Sequence, residues 1–245
     1  MVPDVELAAD AARAASDVLL RLRDTGLTGR SLGDAGDAAA QQAILELLTA
    51  ECPHDVVFSE EAADDRRRLS ARRVWIVDPL DGTREYGDPG RHDWAVHVAL
   101  WSAGELTASA VALPALGEVY VTDPAPTVPP AHGGRPRIAV SRSRPPAEAD
   151  VVTEALGGDL VALGSAGYKA LAVVRGEVDA YVHAGGMYQW DSAAPVAVAL
   201  AAGLTACRLD GSPLVYNTPE PWLPDLIVCR PELAEPILAA LRSSS

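Results

Sequence analysis

Two aspartates separated by two residues, Asp78 and Asp81, stand at the centre of the stretch WIVDPLDGTREYG, residues 75–87. An apolar run leads into Asp78, and Pro79 removes a backbone donor and is expected to stop the ladder, so Asp78 should project from a strand's C-terminal end. That is where open α/β sheets place their ligands. Leu80 turns the chain and leaves its carbonyl free, and Asp81 can swing back towards Asp78. Gly82 and Thr83 follow at the start of a helical turn, whose exposed N–H groups can bind phosphate oxygens. One short segment therefore offers two carboxylates, a carbonyl and an anion cradle, an all-oxygen set that suits Mg²⁺ sharing the oxygens of a phosphate. Asp-Gly alone is common in turns, so the competing reading is a surface turn with solvated aspartates.

Two further acidic positions have similar settings. Glu60 and Glu61 follow the strand-like VVFS, and Asp191 follows Trp190 at the start of SAAPVAVALAAG. That helix is apolar on almost every face and must be buried, which places Asp191 near the core rather than in bulk water. A role as helix N-cap is compatible with ligating a metal. Carboxylates at 60, 78, 81 and 191 could hold two or more Mg²⁺ about 4 Å apart, the arrangement used for in-line displacement at phosphorus, one ion activating water and the other stabilising the leaving oxygen.

The elements that must position these residues are readable from periodicity. Apolar residues at helical spacing mark helices over 4–23 and 35–50, the second capped by Asp34 or Asp37. Short apolar or alternating runs at 55–58, 73–77, 93–101, 106–113 and 117–122 read as strands, several joined as hairpins. Residues 123–136 are dense in Pro and Gly and form the expected loop between halves. Strand and helix then alternate: IAVS, a helix from about 146, DLVALG, a helix over 167–175, VDAYVH, a helix from 191, the strand DLIVC and the helix PELAEPILAAL. The pattern predicts a mixed α/β fold of layered sheets and helices. At 245 residues this is one compact unit. Its N-terminal half, 1–130, carries most of the acidic ligands, and 131–245 carries Asp191 and the segments expected to set specificity.

Composition narrows the partners. The net charge of −14 argues against binding a nucleic-acid polymer, since affinity for phosphate backbones comes from clustered Lys and Arg. An acidic protein can still hold a small phosphorylated metabolite if a divalent cation reverses the local field. No apolar run approaches the roughly 18 residues of a membrane span. The start, MVPDVELAADAARAA, has no basic stretch followed by an apolar block, so a cytoplasmic protein is expected. Cys52, Cys207 and Cys229 match neither a disulfide framework nor a zinc site and read as reduced thiols.

FSEE, WIVDPLDGT and WDSAAPVAVALAAG resemble, in order and interval, the three signatures of the inositol monophosphatase superfamily. The resemblance implies an αβαβα sandwich in which Glu60, Asp78, the Leu80 carbonyl, Asp81 and Asp191 bind two or three Mg²⁺, with Mn²⁺ able to substitute. It implies that Thr83, paired with an upstream Asp, orients the attacking water, with Glu60 also counted among the catalytic groups. By interval that Asp is Asp37, with Asp34 as competitor, because Ala35 and Gly36 stand where a Thr is usual. Inhibition by Li⁺ and a homodimer are further implications. GSAGYKALAVVRG, DAYVHAGGMYQWDSAAP and RLDGSPLVYN look like the actinobacterial CysQ branch, which hydrolyses 3′-phosphoadenosine 5′-phosphate and serves sulfate assimilation. On that likeness the substrate contacts are Asp81, Gly82, Thr83, Arg84, Asp191, Lys169, which is the chain's single lysine, and Arg142 in VSRSRPP, with Arg144 second. His183 and residues 185–189 would form part of the substrate wall.

Other chemistries fit less well. Phosphatases of the haloacid-dehalogenase type separate their two aspartates by one residue and attack covalently, whereas two residues intervene here. A noncatalytic metal-binding module of EF-hand type lacks its Gly and Glu positions. No Gly-x-Ser-x-Gly elbow supports serine hydrolysis. Within the superfamily, an inositol-1-phosphate or fructose-1,6-bisphosphate phosphatase is the alternative.

Overall fold

Small apolar residues at three- and four-residue spacing build the two opening helices, α1 (Asp4–Arg23) and α2 (Gly29–Glu51). The computed structural model describes residues 2–244. Asp4 and Glu6 in the first turn of α1 and Arg21 and Arg23 in its last complement the helix dipole. α2 begins at Gly29, after extended Thr28, so Asp34 and Asp37 lie inside the helix and neither is its cap. Gly33 and Gly36 weaken the apolar pattern there, at about 1 kcal/mol each relative to alanine. They are needed for close approach: a Cβ at Gly33 would stand 2.6 Å from Cγ2 of Thr83, and one at Gly36 2.6 Å from the Tyr86 ring.

The first sheet has the order β1 (Val56–Ser59), β2 (Arg73–Asp81), β3 (Ala95–Ser102), β4 (Glu105–Leu113) and β5 (Glu118–Val121). β1 and β2 are parallel, and the rest run antiparallel. β2 does not stop at Asp78 as Pro79 suggested. Its ladder with β3 pairs Asp78 with His97 and resumes at Asp81 opposite Ala95. The missing N–H of Pro79 falls in this bulge, where no ladder bond needs it, and the bulge aims both aspartates.

Residues 123–136 lead to the second sheet, of order β7 (Asp159–Leu163), β6 (Arg137–Ser141), β8 (Ala180–Tyr188), β10 (Trp222–Cys229) and β9 (Thr205–Cys207). β9 is too short, at three residues, to show alternation in sequence. α4 (Ala147–Leu156), α5 (Ala166–Val174), α6 (Ala193–Ala201) and α7 (Pro231–Ser244) complete the chain. Three apolar cores separate five layers. One joins α1 and α2 to the first sheet through Leu19, Ile44, Trp75 and Val98. The second packs α5 and α6 between the sheets, with Ile76, Leu171, Val196 and Val228. The third seats α4 and α7 on the outer face of the second sheet, with Val140, Val152, Val182 and Ile237. α6 is apolar all round because it lies between two sheets.

Candidate active site

The bulge in β2 presents Asp78 in the core, 1% exposed, with Oδ1 accepting from the Leu80 N–H at 3.1 Å. Its Oδ2 is buried without a hydrogen-bond partner among the described residues. Asp81 stands beside it, and its Oδ2 accepts from Ser165 Oγ at 2.5 Å and from the Gly167 N–H at 2.6 Å. Gly82, at φ +91°, then turns the chain into α3 (Thr83–Tyr86), a single turn. The Thr83 hydroxyl lies between two acceptors, Leu80 O at 3.3 Å and Asp37 Oδ1 at 3.5 Å. Asp37 faces the site, whereas Asp34 pairs on the surface with Arg30. Asp191 lies in a turn of 3₁₀ helix ahead of α6. The N-cap position of α6 is Ser192, and the Asp191 carboxylate instead accepts from the Tyr188 N–H at 2.7 Å.

These carboxylates crowd one another. Burial, with Glu60, Asp81 and Asp191 close by, raises Asp78 well above the usual carboxylate range. Burial and Asp81 push Asp191 up to about 8. Glu60 reaches solvent, yet partial withdrawal from water together with Asp81 and Glu61 raises it to about 7. Asp37 is also pushed up to about 7, by burial and then by Glu61 and Glu60, against the hydrogen bond from Thr83. Such a cluster is unstable when fully ionised unless a cation joins it.

His97 sharpens the point. Burial lowers its pKa, and Nδ1, 3.0 Å from the Trp190 carbonyl, carries a proton, because a carbonyl oxygen only accepts. Nε2, buried without a hydrogen-bond partner among the described residues, faces Asp81 Oδ2 at 3.3 Å. Asp78, Asp81 and His97 place donor atoms within 4.8 Å of one another, a grouping able to hold a metal ion. Gly167 makes room for this ring, which any side chain at 167 would overlap.

A cavity of about 300 Å³ opens over Asp81, Gly82, Thr83, Arg84 and Asp191. Lys169 lines it but is not solvated: it is 4% exposed, its Nζ donates to the carbonyls of Ser165 at 2.5 Å and Gly164 at 3.2 Å, and burial lowers it to about 8. Of the expected wall segment, His183, Gly186 and Met187 line it, whereas Gly185, Tyr188 and Gln189 do not. Arg142 does not line it. Its guanidinium is held by Asp93 at 2.8 Å, and the neighbouring Arg144 takes the place in the wall. Arg84 and Arg144 have no carboxylate partner among the described residues. A second lobe of about 360 Å³ shares Ser141, Arg144, His183 and Gly186 with the first.

A profile of the inositol monophosphatase family matches residues 3–124 and 136–245, breaking across the Pro- and Gly-rich connection. The chain belongs to the inositol monophosphatase family. Among its relatives, a 3′-phosphoadenosine 5′-phosphate phosphatase from Mycobacterium leprae is 52% identical, covering 98% of this chain and 93% of that protein. The corresponding phosphatase of Mycobacterium bovis is 54% identical, with coverages of 86% and 82%. The crystal structure of CysQ from Bacteroides thetaiotaomicron, described as a bacterial member of the same family, shares the fold with a TM-score of 0.79 at 24% identity, covering 93% of this chain and 97% of that one.

Within this family frame, His97, Ser165 and Tyr181 are the site residues that sequence reasoning passed over. His97 reads as a core position in the alternating DWAVHVALW, and only its register opposite Asp78 exposes its part. Ser165 precedes α5 at φ +45°, a conformation that nothing in GSAGYK announces. Tyr181 lies under the Lys169 ammonium, 5.1 Å from ring centre to Nζ.

Proposed function

We propose that this chain removes the 3′-phosphate of 3′-phosphoadenosine 5′-phosphate, giving AMP and inorganic phosphate, with Mg²⁺ at the carboxylate cluster. The observation that carries the proposal is the Asp78 oxygen that has no hydrogen-bond partner among the described residues, amid mutually repelling carboxylates and beneath a wall holding two guanidinium groups without a carboxylate partner among those residues. Identity above 50% to the mycobacterial phosphatases supports the choice of substrate.

The donor set fits a hard divalent cation: Glu60, Asp78, Asp81 and Asp191 with the Leu80 carbonyl would hold two or three Mg²⁺, and Mn²⁺ takes similar donors. When bound, such ions neutralise phosphoryl oxygens and lower the pKa of water. The protein's own groups do the rest. Thr83 Oγ accepts a hydrogen bond from the attacking water while its own proton points to Asp37, the carboxylate placed to take a proton from it. Water oxygen bonds to phosphorus and gives a proton through Thr83 to Asp37, the bond from phosphorus to the 3′ oxygen breaks, and that oxygen takes a proton from solvent to become the 3′-hydroxyl while Asp37 returns its proton to solvent. Asp81 is held still by Ser165 and Gly167, and Arg84 and Arg144 meet the phosphate that is not transferred.

The test compares kcat/KM for 3′-phosphoadenosine 5′-phosphate, inositol 1-phosphate and fructose 1,6-bisphosphate with Mg²⁺. The nucleotide should win clearly. Preference for inositol phosphate would move the chain to another branch of the family, and no phosphate release from any of the three would refute catalysis.

A further inference from the structure

Asp93, in the connection from α3 to β3, is 3% exposed, yet it gathers three elements around one carboxylate. Arg91 donates to it from Nε at 3.0 Å and from Nη2 at 2.7 Å. Arg142, in the loop after β6, donates to its Oδ2 at 2.8 Å, and the Gly164 N–H, at the end of β7, donates to the same atom at 2.6 Å. Arg142 is bound to that second loop directly as well, through Ala162 O at 3.2 Å from its side chain and Leu163 O at 3.0 Å from its backbone N–H. Gly164 leads into Ser165, whose backbone sits at φ +45° while its hydroxyl donates to Asp81. Left-handed backbone is costly for serine and persists only where its surroundings fix it. Asp93 fixes the residue before it, and Lys169 holds both carbonyls of the turn.

We infer that Arg142 and Asp93 form a latch between the two sheets that sets the Ser165 turn and thereby the orientation of the Asp81 carboxylate. Arg142 is then a positioning residue acting through Gly164 and Ser165, not a substrate contact. The latch ties the first sheet, which supplies Asp78 and Asp81, to a loop of the second, which supplies the donors that hold Asp81. Loss of Arg142 leaves Asp93 paired with Arg91, so no buried charge is stranded and the fold should survive.

The kinetic arm rests on the proposed phosphatase activity, and the binding arm does not. Arg142→Met and Arg142→Lys are compared with the wild-type chain for Mn²⁺ affinity by titration, and for kcat and KM on 3′-phosphoadenosine 5′-phosphate and on p-nitrophenyl phosphate. Groups that orient metal ligands are worth 10- to 100-fold, so Arg142→Met should weaken Mn²⁺ about tenfold and lower kcat by a similar factor on both substrates, with KM little changed. Arg142→Lys, which keeps one charged donor, should recover part of each loss. A raised KM for the nucleotide alone, with Mn²⁺ affinity intact, would make Arg142 a substrate contact and overturn the latch. Wild-type values throughout would overturn it as well. If the wild-type chain hydrolyses neither ester, the proposed function fails, and Mn²⁺ affinity alone decides the latch. If Arg142→Met loses its cooperative melt, the same readouts on Arg142→Lys decide, with partial weakening in favour and wild-type values against.

Discussion

Asp81, Gly82 and Thr83 line the cavity from consecutive positions where β2 gives way to α3, with Asp78 buried just behind them, whereas Arg144, Ser165 with Lys169, Tyr181 and Asp191 reach it from four separate stretches after residue 136. The floor is thus local in the chain and its geometry follows from one bulge. The wall is assembled by packing, and each of its residues depends on a different loop. Chemistry placed in the floor and specificity placed in the wall should therefore respond differently to substitution.

The floor should give the larger losses. Asp78→Asn removes a buried charge from the proposed cation site and should lower kcat about 10³-fold, as loss of about 4 kcal/mol of charge stabilisation implies, measured at saturating Mg²⁺. Asp37→Asn should cost about 10²-fold in kcat, the usual worth of a positioned acid–base group. Its pH profile carries the sign: a base works when deprotonated, so wild-type activity rises with pH through the Asp37 pKa, which bound cations hold below its metal-free value of about 7. The variant should lose that limb.

A wall substitution should act more narrowly. Arg144→Ala should raise KM for the nucleotide bisphosphate about tenfold, in line with one charge-assisted contact, and leave hydrolysis of p-nitrophenyl phosphate unchanged. Equal damage to both substrates would abolish the distinction between floor and wall.

The smallest effect is on stability. Glu60, at about 7, and Asp191, at about 8, are raised above their unfolded values near 4, so without metal their contribution is fully present below about pH 4 and is lost as pH rises through 7 and 8. The melting temperature of the metal-free chain should fall by a few degrees across that window, about 1–2 kcal/mol for a chain of this size. Mg²⁺ should restore more of it at pH 8 than at pH 5. A flat profile would mean that the carboxylates are further apart than the fold places them.

The same division explains what could be read from the residues. The layered α/β fold, the inter-sheet connection and the closeness of Asp78 to Asp81 were legible because strand periodicity, the Pro- and Gly-rich run and the spacing of the two aspartates are local signals, whereas Pro79 marked a strand end where the structure has a bulge. Asp191 was legible through the apolar helix behind it, although its carboxylate caps the preceding 3₁₀ turn and not α6. The start of α2 was hidden by glycines that serve contact with α3. His97 and Ser165 were hidden because strand register and a left-handed backbone are tertiary facts. Arg142 and Arg144 are two residues apart in one loop, and nothing in VSRSRPP indicates that buried Asp93 claims the first and leaves the second to the cavity.

The central claim is that carboxylates from both halves of the chain share divalent cations. Calorimetric titration of the metal-free chain with Mg²⁺ at pH 7, repeated in buffers of different ionisation enthalpy, counts the protons released on binding. With Glu60 at about 7 and Asp191 at about 8, binding should release about one proton or more per chain, and Asp191→Asn should reduce that number. Binding with no proton release, or no binding at all, would contradict a site in which these carboxylates converge.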